Sequence, residues 1–196
     1  MRGDVPGDVF QVGVASWYGA DFHGRPTASG EVYDMYDMTA AHRTLPLGTI
    51  LEVENLVNKR RAKVTVNDRG PFIEGRVIDL SFAGAKEIDI VEAGTAKVAL
   101  RILGRDEGYI KTVRVEEGRG GRHYVVQVGA FLDRDNAERL KTALLWKEKD
   151  VYITKAEVSG RLFYRVRLGR FKERDKAKAL AQRLAQDGYP VVVMME

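Results

Sequence analysis

One carboxylate in this chain stands where an acid-base group would be useful. Asp68 follows the β-branched run 62–66 and precedes a Gly-Pro turn at 70–71. The pattern predicts a strand that ends at a solvent-facing rim, backed by a folded core. A carboxylate at such a rim can exchange protons with a bound substrate. The alternative is that Asp68 only shapes the turn.

A second group of ionisable residues lies upstream of Asp68. Glu31, Asp34, Asp37 and His42 fall within 12 positions. Such a cluster is typical either of a solvated acidic loop or of a site, and His42 alone could be a structural histidine or an acid-base group. The spacing matches no recognised zinc pattern, so we predict no metal and no cofactor.

Nucleophilic chemistry has no support in the sequence. The chain has no cysteine, which excludes disulfides, a thiolate zinc site and a cysteine nucleophile. Ser29 precedes Gly30 but lacks the glycine two residues upstream that a nucleophile elbow requires, and no phosphate-binding loop is present. Acid-base chemistry on carboxylates is what remains.

The elements that must position these groups fall into two domains. A chain of 196 residues with 44% apolar content can bury the cores of two small domains. Residues 1–105 carry 13 Lys and Arg against 14 Asp and Glu, whereas residues 122–196 carry 16 against 10. We predict domains at 10–104 and 122–196, joined by a glycine-rich linker at 105–121 that contains a short β-like run at 109–115. The basic C-terminal domain suits an anionic polymer, a nucleic acid or a membrane surface, or is simply a solvated charged face.

Short β-type runs separated by turns fill the first domain. They cover 12–18, 49–54, 61–66, 76–80 and 96–103. This spacing predicts a small barrel or sandwich. One helix interrupts the strands, over 82–88, with Ser81 as its N-cap.

The second domain contains an internal repeat with a shift of 40 residues. The matching pairs include Tyr124 and Tyr164, Gly129 and Gly169, Phe131 and Phe171, and Leu140 and Leu180. Each copy is predicted to be a β-α-β unit, so two copies give a βαββαβ domain with both helices on one face of a four-stranded sheet. The free face carries Gln127, Arg165 and Arg167 between apolar neighbours, as a polymer-binding platform would.

Five motifs in the first domain resemble those of the rare lipoprotein A (RlpA) family. They are 13–19 (GVASWYG), 27–31 (TASGE), 40–49 (AAHRTLPLGT), 66–72 (VNDRGPF) and 76–81 (RVIDLS). The resemblance covers residues 12–103 and implies a mainly-β double-psi β-barrel. Carried over by position, it makes Asp68, Glu31, His42 and Asp34 the catalytic residues. Asp68 also matches the essential carboxylate of barrel-containing lytic transglycosylases and expansin-like proteins.

The repeat resembles a SPOR domain, a module that binds peptidoglycan. The motifs are 126–131 (VQVGAF) and 164–171 (YRVRLGRF). The resemblance implies an α+β, ferredoxin-like βαββαβ fold. We expect five residues of this domain to bind glycan, with the glycine allowing close approach of the backbone: Gln127, Gly129, Phe131, Arg165 and Arg167.

Together the resemblances imply a bacterial cell-envelope enzyme that acts on peptidoglycan. It would cleave the bond between N-acetylmuramic acid (MurNAc) and N-acetylglucosamine (GlcNAc) by lytic transglycosylation, leaving a 1,6-anhydro sugar. SPOR modules are associated with glycan strands stripped of stem peptides, which accumulate at division septa, so the expected location is the periplasm at the septum. Septal protein partners are not specified by the residues.

Membrane attachment has little support in the sequence. Family members are often lipoproteins tethered through an N-terminal cysteine, which this sequence lacks. No stretch approaches 18 consecutive apolar residues, and the first eight residues do not form the apolar core of a signal peptide. We therefore expect a soluble chain without a transmembrane segment.

Three other functions compete with the transglycosylase. The first is a non-catalytic, expansin-like barrel that binds peptidoglycan and uses Asp68 for contact. The second is an RNA-recognition module, but the sheet lacks the aromatic-rich strand motif that stacks bases, so we predict no nucleic-acid partner. The third is a wall hydrolase.

Overall fold

The computed structural model describes residues 8–116 and 121–196. These residues form two compact units. The first comprises the described residues up to Thr27 together with Glu31–Glu107, and the second comprises Ala28–Gly30 with the described residues from Gly108 to Glu196.

The first unit is a closed six-stranded barrel. Its strands are β1 (Val9–Trp17), β2 (Thr39–His42), β3 (Thr49–Asn55), β4 (Arg61–Asp68), β5 (Arg76–Leu80) and β6 (Ala96–Arg105). The order around the barrel is β1-β5-β2-β4-β3-β6. The β1–β5 and β2–β4 pairs are parallel and the others antiparallel. The predicted double-psi β-barrel is confirmed.

Strand β2 was not predicted from the sequence pattern. Its residues include Ala40 and Ala41, which have low strand propensity, but both are fully buried between neighbouring strands. β2 pairs with β4 on one side and β5 on the other. Tertiary packing, rather than local preference, makes this segment a strand.

One short helix, α1 (Phe82–Glu87), follows β5. The Ser81 hydroxyl accepts a hydrogen bond from the Gly84 amide at 3.1 Å, which confirms the predicted N-cap. A single 3₁₀ turn, Ala20–Phe22, lies between β1 and β2. The barrel core is formed by inward-facing aliphatic side chains, including Leu51, Val53, Val64, Val66, Ile78, Leu80 and Leu100.

The second unit is an α+β domain. Its elements are β7 (Arg114–Val115), β8 (Tyr124–Phe131), α2 (Arg134–Leu144), β9 (Val151–Val158), β10 (Arg161–Phe171), α3 (Arg174–Gln186) and β11 (Val192–Met195), preceded by a 3₁₀ turn at Glu107–Tyr109. The sheet order is β7-β11-β8-β10-β9. β8 to β11 with the two helices confirm the predicted βαββαβ fold.

The sheet has five strands rather than the predicted four. The added strand, β7, comes from the segment predicted as a linker and pairs in parallel with β11. The β-like run at 109–115 in that segment contains this strand. The helices α2 and α3 bury small and aliphatic side chains against the sheet, among them Ala137, Leu140, Leu144, Ala177, Ala181 and Leu184.

Candidate functional site

Asp68 is the last residue of β4 and is half-buried. Its Oδ1 accepts a hydrogen bond from the backbone amide of Arg69 at 2.8 Å. The β-branched residues before it enter the barrel core, and the chain turns away directly after it. The carboxylate thus stands at the rim of the barrel, with a rigid strand behind it.

A second carboxylate shares this rim. Ala41 of β2 pairs with Asp68 on one side and with Asp79 of β5 on the other. Two interstrand spacings therefore separate the two aspartates, about 10 Å between Cα atoms. Asp79 is 8% exposed, and its Oδ1 accepts a hydrogen bond from Arg76 Nε at 3.1 Å. Asp79 lies within the motif 76–81, but no signal in the sequence distinguishes it from a core strand residue.

Glu31 is tied to the residue that precedes Asp68. The Asn67 Nδ2 group donates a hydrogen bond to Glu31 Oε2 at 3.0 Å, and Asn67 is 5% exposed. The Glu31 backbone is held in turn, because its carbonyl accepts hydrogen bonds from the amide and the hydroxyl of Thr27. The structure therefore brings Glu31 to the end of β4.

Asp34 has a local structural role. Its Oδ1 accepts a hydrogen bond from the backbone amide of Tyr36 at 2.9 Å, the geometry of an Asx turn. It is half-buried, so part of the carboxylate faces solvent.

Tyr33 was missed by sequence reasoning, and it lies within electrostatic reach of two of the predicted carboxylates. Burial raises the pKa of its hydroxyl to about 12, a backbone hydrogen bond with Phe82 opposes this shift, and the charges of Asp34 and Asp68 add to it. Tyr33 therefore stays protonated at neutral pH. A tyrosine next to an aspartate carries no sequence signal that distinguishes it from a core residue.

His42 is 3% exposed and both of its ring nitrogens are engaged. Nδ1 accepts hydrogen bonds from the amides of Thr44 and Leu45 at 3.2 and 3.1 Å. Because an accepting Nδ1 carries no proton, the proton is on Nε2, which lies 3.0 Å from Gln11 Oε1. This arrangement suits a residue that fixes the 43–45 turn and the end of β2, rather than one that passes protons to a substrate.

In the second unit, Gln127 and Arg167 face each other across β8 and β10. Arg167 Nε lies 3.4 Å from Gln127 Oε1, and Arg167 Nη1 lies 2.7 Å from Glu196 Oε1. The Tyr152 hydroxyl donates to the other Glu196 oxygen at 3.1 Å. Arg167 is 7% exposed, so its charge organises the sheet face and is already neutralised.

The three other predicted glycan-binding residues have different surroundings. A Cβ on Gly129 would lie 2.6 Å from the Phe131 ring and 3.0 Å from Leu140, so the protein's own side chains fill the space that this glycine leaves. Phe131 is half-buried beside it. Arg165 is half-buried and pairs with Ala130 and Thr154 on neighbouring strands.

Residues 8–116 and 121–196 contain neither a candidate metal cluster nor a candidate membrane-spanning helix. No group of three or more His, Cys, Asp or Glu residues there could hold a metal ion. No helix in those ranges combines the length and the apolarity needed to cross a bilayer.

Two family models match the chain. One, described as lytic transglycolase, matches residues 10–100, and one described as SPOR domain matches residues 120–194. The fold and the two family-model matches together define the class of this protein: a double-psi barrel of the lytic transglycosylase type followed by a SPOR domain.

Curated relatives narrow this class to one family. A protein of Vibrio cholerae named endolytic peptidoglycan transglycosylase RlpA is 38% identical over 184 residues, which is 94% of this chain and 68% of that protein. A protein of the same name from Campylobacter jejuni is 39% identical, over 86% of this chain and 66% of that protein. Another from Pseudomonas aeruginosa is 61% identical, over 44% of this chain and 26% of that protein. The chain belongs to the RlpA family. It spans about two thirds of the length of the first two relatives.

Proposed function

We propose that this protein is a lytic transglycosylase that cleaves MurNAc–GlcNAc bonds in glycan strands of peptidoglycan. The observation that carries the proposal is the rim of the barrel, where Asp68 ends strand β4 and Glu31 is hydrogen-bonded to Asn67, the residue before it. The names of the relatives, endolytic peptidoglycan transglycosylases, support the same activity.

Asp68 would act first as an acid and then as a base. In the first step its carboxyl proton passes to the glycosidic oxygen, the C1–O bond breaks, and positive charge develops at C1 of MurNAc. The resulting carboxylate takes the proton of the C6 hydroxyl of the same sugar, and that oxygen forms a bond to C1. The products are a 1,6-anhydro MurNAc end and a GlcNAc end with a free hydroxyl, and no water is consumed.

The neighbouring groups would support this proton transfer. A carboxylate at Glu31 lowers the energy of the positive charge that develops at C1. Asp34 fixes the loop that carries Tyr36, and His42 fixes the turn after β2. Tyr33 remains a neutral hydroxyl near Asp68 throughout the cycle.

The second domain would bring the enzyme to its substrate. A basic sheet with an amide and an arginine on one face, Gln127 and Arg165, suits a polymer that carries both hydroxyl and carboxylate groups. We assign residues 122–196 to binding of strands that lack stem peptides, and the protein to the periplasmic side of the division septum.

Product analysis tests the proposed reaction. The full chain is incubated with peptide-free glycan strands, and the products are identified by mass, with Asp68→Asn as the control. Anhydro-ended fragments are the expected result. Reducing ends would indicate a hydrolase instead, and intact strands that co-sediment with the protein would indicate a non-catalytic binder.

A further inference from the structure

We infer that segment 111–114 completes a subsite on the SPOR sheet, and that Arg114 in it binds the lactyl carboxylate of a MurNAc residue without a stem peptide. This inference rests on the proposed function, because it specifies which group of the stripped strand is recognised. The segment precedes the 120–194 range of the SPOR match.

Main-chain hydrogen bonds hold this segment against the domain. The Arg114 amide donates to Val191 O at 3.3 Å, and the Glu116 amide donates to Val193 O at 2.8 Å. The Lys111 amide donates to Ala185 O, in the last turn of α3, at 3.0 Å. Arg114, in strand β7, is therefore presented from backbone that is hydrogen-bonded to the domain, which lowers the entropy cost of binding a ligand.

The segment forms one wall of a cavity of about 300 Å³ within this unit. The other walls are residues 127–130 of β8 and residues 190–192 before and within β11. Arg114 pairs with Val192, and Val192 pairs with Gln127, so these residues form one row across three strands. A ligand in the cavity would meet a cation at one end of the row and an amide at the other.

The charge at this cavity is not compensated. Over residues 8–116 and 121–196, the side chain of Arg114 makes no ion pair or hydrogen bond, and it is exposed. Lys111, which also lines the cavity, has its Nζ 5.7 Å from the Tyr109 ring centroid and no carboxylate partner in those ranges. Arg167, on the same row of the sheet, is paired with Glu196. Arg114 is thus the cation of this row that is available to an anionic ligand.

A glycan strand without stem peptides carries one anion that Arg114 could bind. In peptide-bearing strands the lactyl group of MurNAc is joined to the stem peptide as a neutral amide. Removal of the peptide leaves a free carboxylate, whereas GlcNAc carries no charge. A guanidinium binds a carboxylate with two parallel hydrogen bonds and gains nothing comparable from an amide. Arg114 would therefore distinguish stripped from peptide-bearing strands.

Binding to two matched glycan preparations tests this role. One is peptide-free strands, and the other is the same strands with their lactyl carboxylates converted to methylamides. All proteins are full chains with Asp68→Asn, so that strands are not consumed. Arg114→Gln removes the charge, Arg114→Lys keeps it, and Arg161→Gln makes the same change on β10 outside the cavity.

Arg114→Gln should weaken binding to peptide-free strands about three- to tenfold, as for a charge-assisted hydrogen bond partly open to water. It should leave binding to methylamide strands unchanged. Arg161→Gln should keep the parent protein's preference for peptide-free over methylamide strands, and Arg114→Lys should keep part of that preference. Equal preference in the Arg114→Gln variant and its parent would overturn the inference and leave the proposed function standing. Failure of the parent protein to bind either preparation would overturn the proposed function itself.

Discussion

Asp68 and His42 each belong to a motif that resembles the RlpA family, but their side chains lie in different environments. The Asp68 carboxylate is half-exposed at the end of a strand, whereas the His42 ring is enclosed and accepts two backbone hydrogen bonds. Their residue types could be recognised from the sequence as capable of acid-base chemistry. Their division of labour could not, because it depends on which backbone amides surround the histidine ring.

Replacing Asp68 should remove the acid without disturbing the fold. We expect Asp68→Asn to lower the rate of strand cleavage by about 10²- to 10⁴-fold, the usual contribution of a general acid-base group. The melting temperature should stay close to that of the parent, since asparagine has the same shape. Asp37→Asn, an exposed carboxylate of the same region, is the matched control. Unimpaired cleavage by Asp68→Asn would refute the assignment.

For His42, two substitutions separate a positioning role from proton transfer. Asparagine can accept hydrogen bonds close to where Nδ1 does, whereas alanine leaves the amides of Thr44 and Leu45 unpaired. His42→Ala should therefore lose about 1–3 kcal/mol of stability, measured by denaturant unfolding, together with most activity. His42→Asn should retain stability and measurable cleavage. If both variants fold and neither cleaves, the imidazole itself takes part in the reaction.

At the scale of elements, strands with a strong alternating pattern could be predicted and strands made by packing could not. β4 and β6 are rich in β-branched and aliphatic residues, and both were expected from sequence. β2 contains two buried alanines, and it forms a strand because β4 and β5 pair with it on either side in the closed barrel. β2 lies between Asp68 and Asp79, so their arrangement at the rim could not be predicted from the sequence either.

A charged cluster links three barrel strands and makes their stability depend on pH. Arg101 of β6 donates a hydrogen bond to Glu54 of β3 at 2.7 Å, and Arg61 of β4 lies 3.3 Å from the same carboxylate. The hydrogen bond from Arg101 is the largest cause that lowers the pKa of Glu54, while burial opposes it. Because the folded pKa lies below the unfolded one, the stabilisation is present above about pH 4.3 and is lost as the pH falls through the folded value.

Thermal unfolding of a Glu54→Gln variant checks this dependence. The variant should melt below the parent protein at pH 7, because Arg101 loses its charged acceptor. The difference between the two should shrink as the pH falls below about 4.3, because the unfolded chain then binds a proton more readily than the folded carboxylate does. Glu74→Gln, at an exposed position, should match the parent throughout. A difference that stays constant from pH 7 to 3 would contradict the lowered pKa.

At the scale of the whole molecule, each unit has its own buried core, so cleavage and binding should be separable. A variant that ends at Glu107 keeps all six barrel strands. We expect it to cleave soluble peptide-free strands at a rate within a few-fold of the full chain, and to lose retention on insoluble, peptide-stripped cell walls. Co-sedimentation measures the second property. Undiminished retention would mean that the barrel alone holds the polymer.

The short strand β7 has a consequence for how this sheet behaves in solution. β11 is hydrogen-bonded to β8 on one side and to β7 on the other. A fragment cut at residue 120, where the family match begins, would leave one side of β11 with unpaired amides and carbonyls. Open strand edges recruit strands from other molecules. Arg114 and Val115 therefore also protect the domain from self-association, and fragments that omit them should be prone to aggregate.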